Sequence, residues 1–114
     1  MYAEKAKEFY SNHTANCAEA IIKAFAKHFN LDSSLIGKYK NCGSGAAPAG
    51  VCGAYFAARD LLQMNCSGKI DEFDKLFVST AGDLHCPNIR KLKKLSCLGC
   101  IKTAADFVEK QIQS

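Results

Sequence analysis

The sequence predicts an all-α protein, a compact single-domain bundle of five or six helices with one Gly/Ala-rich loop. Apolar residues recur at helical spacing along nearly the whole chain, and no segment shows the strict alternation of a half-buried strand. A chain of 114 residues has room for only one sizeable core. Residues 1–114 are therefore expected to form one domain, and 48% apolar with 23% charged residues argues against disorder.

Two helices are predicted before residue 40. Asn16, with Glu19 three positions later, is typical of a capping box, so a helix is expected from Cys17 to Phe29. A second, short helix is predicted over 32–39. The first of these has a polar stripe of Glu19, Lys23 and Lys27 and an apolar side of Ile21, Ala24, Phe25 and His28.

The middle of the chain combines a loop of small residues with the most apolar helix. Residues 41–50 have almost no side-chain bulk, which predicts a tight loop. The following helix, Cys52–Gln63, carries only Arg59 and Asp60 as charged residues. A helix that is apolar on all sides is expected at the centre of the molecule.

Three further helices are predicted in the C-terminal half. Helical spacing resumes at Ile70, Pro87 suits the first position of a short basic helix, and the last helix is expected from about Leu98. Their predicted inward faces are Phe73, Leu76, Phe77, Thr80 and Leu84 in the first, and Ile101, Ala104, Ala105, Val108 and Ile112 in the last.

Charge and hydropathy limit the classes of partner. A net charge of +4 is too small to indicate nucleic-acid binding. The first residues lack the apolar run of a secretory signal, and no stretch is long enough for a membrane helix. We therefore expect a cytoplasmic protein without nucleic-acid or membrane partners, in a compartment where lasting disulfides are rare. The basic run Arg90, Lys91, Lys93 and Lys94 is read as a solvated face, with an acidic redox partner as the alternative.

The seven cysteines are the main functional signal. Cys17, Cys52, Cys86 and Cys100, the last together with Cys97, stand at the starts of four predicted helices. Unpaired N–H groups and the peptide dipole favour a thiolate there, which predicts lowered thiol pKa values. If these helix starts converge, a cation must hold the four sulfurs together, so the four residues are the predicted cofactor and metal ligands. An iron–sulfur cluster and zinc both accept four thiolates, and the Gly/Ala loop favours the bulkier cluster.

Other interpretations of the cysteines remain open. Cys97-Leu98-Gly99-Cys100 is a Cys-x-x-Cys at a helix start, which suits a thiol–disulfide oxidoreductase. A zinc-stabilised interaction module is a third hypothesis, and unrelated buried thiols are the fourth. Cys66 is expected to be a bystander. Cys42 is expected to be a loop thiol without a role, with a resolving thiol or a spare ligand as the alternative. His85 adjoins Cys86 and is expected at the surface, with a ligand role as the alternative.

The cysteine pattern also resembles a known family. Asn16-Cys17-Ala18-Glu19-Ala20, Cys52-Gly53-Ala54, Cys86 and Cys100 resemble a bacterial family of redox-active proteins, C_GCAxxG_C_C, over about residues 10–110. Ala57 stands where the family motif ends in glycine. Cys97 could replace Cys100 as the fourth cysteine, although the segment from Cys100 to Ala105 is more similar to the family's ending.

The resemblance implies a helical redox-active protein that binds a cluster and works with oxidoreductases or transporters. Together with the helix starts, it gives the leading hypothesis of electron transfer or redox sensing by an iron–sulfur protein with a redox partner protein. No Ser/His/Asp set or carboxylate pair suggests hydrolysis, and whether the chain is an enzyme stays open.

Overall fold

The computed structural model describes residues 2–12, 16–39, 50–65 and 67–113, with the side chains of Cys86 and Cys97 outside this description. Within these ranges the chain is all-α, as predicted. Val51 and His85 form an isolated antiparallel β-bridge. Seven α-helices follow in order: α1 Tyr2–Ser11, α2 Cys17–Phe29, α3 Ser33–Lys38, α4 Gly53–Asn65, α5 Ile70–Ala81, α6 Cys86–Leu92 and α7 Cys97–Gln113. A 3₁₀ turn, Ser67–Lys69, joins α4 to α5.

The helix α1 was not among the predicted elements, so the described chain has seven helices rather than five or six. Its buried positions are the small residues Ala3 and Ala6, which give a weak apolar periodicity. The ring of Tyr2 stacks on Phe25 of α2 at 4.6 Å between centroids, and the Tyr2 N–H donates to Glu109 of α7 at 2.7 Å. Tertiary packing therefore stabilises a helix that local sequence only weakly indicates.

The helix α4 lies at the centre, as predicted, and packs against α2, α5 and α7. Its side chains are buried around most of its circumference, and Arg59 is exposed. The buried positions are Gly53, Ala54, Tyr55, Ala57, Ala58, Leu61 and Leu62. The predicted inward face of α7 is also confirmed through Ile101, Ala104, Ala105 and Val108.

The predicted inward face of α5 was partly wrong. Leu76 is 41% exposed, and Leu84 lies beyond the helix, which ends at Ala81. The buried stripe consists of Ile70, Phe73, Phe77 and Ala81. Leu76 lies one residue before Phe77, about 100° around the helix, so it points away from this stripe.

Candidate redox site at the helix starts

The structure places cysteines at four helix starts, as predicted. Cys17 is the first residue of α2, and Cys86 is the first residue of α6. Cys52 directly precedes α4, and its carbonyl accepts the first-turn bond from Phe56 N–H at 2.9 Å. Cys97 begins α7, which carries Cys100 in its first turn.

The start of α6 differs from the prediction by one residue. Pro87 was expected at the first helical position, which would make Cys86 the cap, whereas His85 is the cap and Cys86 is already helical. Pro87 therefore occupies the second position. A proline fits there as well, because the first-turn N–H groups have no partner within the helix.

The thiols of Cys52 and Cys100 meet at the packed starts of α4 and α7. They share a side-chain hydrogen bond, and both residues are buried. The start of α7 is held by Ser96, whose Oγ accepts from Gly99 N–H at 3.0 Å and whose carbonyl accepts from Cys100 N–H at 2.8 Å. The structure thus brings together two of the four predicted ligands.

The predicted lowering of thiol pKa values is wrong for Cys52. The hydrogen bond with Cys100 raises the pKa of Cys52 well above its usual range, and burial raises it further. The N–H groups of Ala54 and Tyr55 do donate to the Cys52 sulfur and act in the predicted direction. Their effect is smaller, because ionising Cys52 would place an anion in a buried site against a second sulfur.

The segment before α6 runs beside Cys52. Val51 and His85 form the antiparallel bridge, and Cys52 N–H donates to the Leu84 carbonyl at 2.7 Å. Residues 51–52 are therefore paired with residues 84–85, and Cys86 follows immediately. This pairing brings the start of α6 to the start of α4.

The start of α2 is tied to α4 through Tyr39. Asn16 forms the predicted capping box, accepting from Glu19 N–H at 2.8 Å. Its Nδ2 donates to the Tyr39 carbonyl at 3.2 Å. The buried Tyr39 ring lies 5.9 Å from the Phe56 ring, and its hydroxyl donates to Asp60 at 2.6 Å.

The joint four-sulfur site stays a prediction. Cys17 is partly buried and packs against the core next to the Asn16 cap. Within the described ranges, no three Cys, His, Asp or Glu residues form a group that could hold a metal ion. The side chain of Cys86, the predicted fourth ligand, lies outside the described part of the chain.

Several predicted residues also lie outside the described ranges. Cys42 and the loop over residues 41–49 are among them, as are Cys66 and the side chain of Cys97. The described end of the loop, Gly50, has φ +72°, a conformation that favours glycine.

Sequence reasoning missed Asp83, which organises the segment before α6. Its carboxylate accepts from the N–H groups of Leu84 and His85, from His85 Nδ1 and from Asn88 Nδ2. His85 itself is exposed, as expected. An acidic residue shortly before a predicted helix is the signal that could have identified it.

Comparison with known proteins identifies the family. The model of the family described as "Putative redox-active protein (C_GCAxxG_C_C)" matches residues 15–111, most of the chain. The chain belongs to this family. No curated protein and no solved structure matches it.

The residues of the predicted family pattern can be located in the matched range and in the structure. Cys17, the Cys52-Gly53-Ala54 motif, Cys86 and Cys100 all lie in the matched range. Ala57, which the resemblance places at the last glycine of the motif, is completely buried in α4. A small side chain is therefore what this position in the core can hold. None of the helices in the described ranges is both long and apolar enough to cross a membrane.

Proposed function

We propose that this member of the redox-active family is a cytoplasmic protein that holds an iron–sulfur cluster through Cys17, Cys52, Cys86 and Cys100. The observation that carries the proposal is the contact between the Cys52 and Cys100 thiols at the meeting point of two helix starts. The bridge between residues 51 and 85 supports Cys86 as a third ligand. The link from Asn16 through Tyr39 to α4 supports Cys17 as the fourth.

The donor set fits a cluster chemically. Sulfur is the ligand that iron–sulfur clusters use, and two of the four sulfurs are buried away from water. The first-turn N–H groups of Ala54 and Tyr55 already donate to the Cys52 sulfur, and such bonds tune a bound centre. When bound, the cluster would supply a one-electron couple, exchanged with a redox partner protein.

The raised pKa of Cys52 gives the proposal a pH dependence. Thiols must lose their protons to become ligands, so metal binding at this site would release protons. A high thiol pKa makes that release more costly at low pH. We therefore expect iron uptake to strengthen from pH 6 to pH 8.5.

The direct test is anaerobic reconstitution with ferrous iron and sulfide. We expect a brown protein with stoichiometric iron and acid-labile sulfide, and loss of most bound iron in each of four variants: Cys17→Ser, Cys52→Ser, Cys86→Ser and Cys100→Ser. Cys66→Ser is the matched control and should keep its iron. A colourless protein with stoichiometric zinc would instead support a zinc-stabilised interaction module.

The Cys97→Ser variant decides the fourth ligand. Cys97 and Cys100 share the first turn of α7, and Cys100 is the one seen against Cys52. We expect Cys97→Ser to retain iron. If Cys100→Ser kept its iron and Cys97→Ser lost it, the fourth ligand would be Cys97.

The same contact favours a second candidate function, a dithiol–disulfide couple between Cys52 and Cys100. Two thiols in hydrogen-bond contact can form an S–S bond with release of two protons and two electrons. A small disulfide such as oxidised glutathione would accept these, yielding two thiols. This pair differs from the predicted Cys97–Cys100 pair, which stays a prediction.

Mass mapping distinguishes the two functions. A metal-free protein that reversibly forms a Cys52–Cys100 disulfide in a glutathione buffer would support the second candidate. An iron-loaded protein in which both thiols resist alkylation would support the first.

A further inference from the structure

Asp83 lies in the connection between α5 and α6 and gathers four hydrogen bonds on one carboxylate. Its Oδ1 accepts from Leu84 N–H at 2.6 Å and from His85 N–H at 2.9 Å, and pairs with His85 Nδ1 at 2.8 Å. Its Oδ2 accepts from Asn88 Nδ2 at 3.0 Å. These donors, His85 N–H above all, hold the pKa of Asp83 well below its usual range, so the carboxylate stays ionised.

The partners of Asp83 are the residues that approach the candidate site. Leu84 and His85 pair with residues 51–52, next to the Cys52 thiol. Asn88 belongs to the first turn of α6, the helix that begins at Cys86. One carboxylate therefore joins the strand-like segment beside Cys52 to the helix that carries Cys86.

The start of the connection is constrained as well. Gly82 ends α5 in a left-handed conformation at φ +91°. The side chain of Leu92, at the end of α6, lies so close that a Cβ on Gly82 would be 2.7 Å from its Cδ1. The path from α5 to α6 is thus defined at both of its ends.

We propose that Asp83 is a positioning residue for the redox site: its hydrogen bonds hold the start of α6, and with it Cys86, beside Cys52. The electronic consequence rests on the proposed function, because a change in how Cys86 is held would alter the reduction potential of the bound centre. The role of Asp83 in holding Cys86 can be tested in metal-free protein. The chemical reactivity of Cys86 therefore offers an independent readout.

A role for Asp83 in global stability alone has a different expected outcome. The melting temperature then falls, but at a temperature where every variant is folded the reactivity of Cys86 and the reduction potential stay unchanged. A positioning role changes these two quantities as well. The experiment must therefore measure stability and site properties in the same variants.

The test uses Asp83→Ala and Asn88→Ala, with Asp106→Asn as the control for an exposed carboxylate in an ion pair on α7. Asn88→Ala removes one hydrogen bond and keeps the charge of Asp83. The alkylation rate of Cys86 by iodoacetamide is mapped by mass spectrometry in the metal-free protein. The reduction potential is measured after iron loading.

We expect Cys86 to be alkylated about tenfold faster in Asp83→Ala, because the start of α6 loses the charge-assisted hydrogen bonds that hold it and opens more often. Asn88→Ala should change the rate in the same direction by a smaller factor, and Asp106→Asn should match the wild type. The potential should shift in Asp83→Ala, shift less in Asn88→Ala and stay unchanged in Asp106→Asn. A lower melting temperature with an unchanged Cys86 rate and potential would overturn the proposal.

The two proposals fail in different ways. A wild-type protein that takes up no iron contradicts the cluster, while the alkylation comparison in metal-free protein still decides the role of Asp83. An iron-loaded wild type with identical Cys86 rates in Asp83→Ala and Asp106→Asn contradicts the role of Asp83 alone.

Discussion

The Cys52 thiol shares a hydrogen bond with Cys100 across the starts of α4 and α7. This contact is the largest cause of the raised pKa of Cys52, ahead of its burial. The two residues lie in opposite halves of the chain. The contact makes the reactivity of Cys52 depend on a residue that is distant in sequence.

Replacing Cys100 by alanine should make Cys52 more reactive. The pKa of Cys52 falls when the neighbouring sulfur is removed, and the thiolate is the reactive form. Each unit of pKa gives about a tenfold larger thiolate fraction at pH 8, so alkylation of Cys52 should accelerate by at least that factor. Ile101→Val, which opens the neighbouring buried position without touching either thiol, should leave the rate within twofold. Equal rates in both variants would contradict the contact.

The raised pKa of Tyr55 predicts that the protein loses stability at high pH. Burial, followed by the hydrogen bond to Asp74 at 2.7 Å, raises the pKa of Tyr55 to about 12 from a usual value near 10. The unfolded chain therefore releases this proton at a lower pH than the folded chain. The stabilisation is fully present below pH 10 and is lost as the pH rises from 10 to 12.

The measurement is denaturant unfolding between pH 8 and pH 12. Tyr55→Phe should cost about 1 kcal/mol at pH 8, because Asp74 loses its donor, and should show a shallower decline above pH 10. Val108→Ala is the control: it lowers stability at a buried position without removing a titrating group, so it should keep the wild-type slope. A wild-type slope in Tyr55→Phe would assign the decline to another group.

The burial pattern predicts unequal losses of stability for two leucine-to-alanine changes. Leu61 of α4 is completely buried, whereas Leu76 of α5 is 41% exposed. Leu61→Ala should lower the free energy of unfolding by about 2–5 kcal/mol through lost burial and a cavity. Leu76→Ala should stay within about 0.5 kcal/mol. Similar losses in the two variants, measured in urea, would contradict the register of α5.

Replacing Gly82 should lower the stability of the protein because of its backbone conformation. Alanine there meets both the left-handed φ and the Leu92 side chain at 2.7 Å, so Gly82→Ala should cost about 1–2 kcal/mol. The same change at Gly68, where the space is open, should be neutral within about 0.5 kcal/mol. Thermal unfolding compares the two, and a neutral Gly82→Ala would show that the connection to α6 adapts.

The local elements of this protein follow from neighbouring residues. The helix α2 occupies Cys17–Phe29 as predicted, because Asn16 and Glu19 form a capping box within one turn. The positions of the cysteines at helix starts are local in the same sense. The central place of α4 also follows from its composition, since a helix that is apolar on all sides must be covered by others.

The tertiary structure decided which of these local features meet. The contact of Cys52 with Cys100, the pairing of residues 51–52 with 84–85 and the outward direction of Leu76 depend on how helices pack. The pKa of Cys52 is raised instead of lowered for the same reason. The N–H groups of the helix start lower this pKa locally, but the second sulfur and burial raise it by more, and both depend on packing. Sequence thus determined where each helix begins and which thiols stand there. Packing determined which of those thiols face each other, because contact between distant segments depends on the arrangement of the whole core.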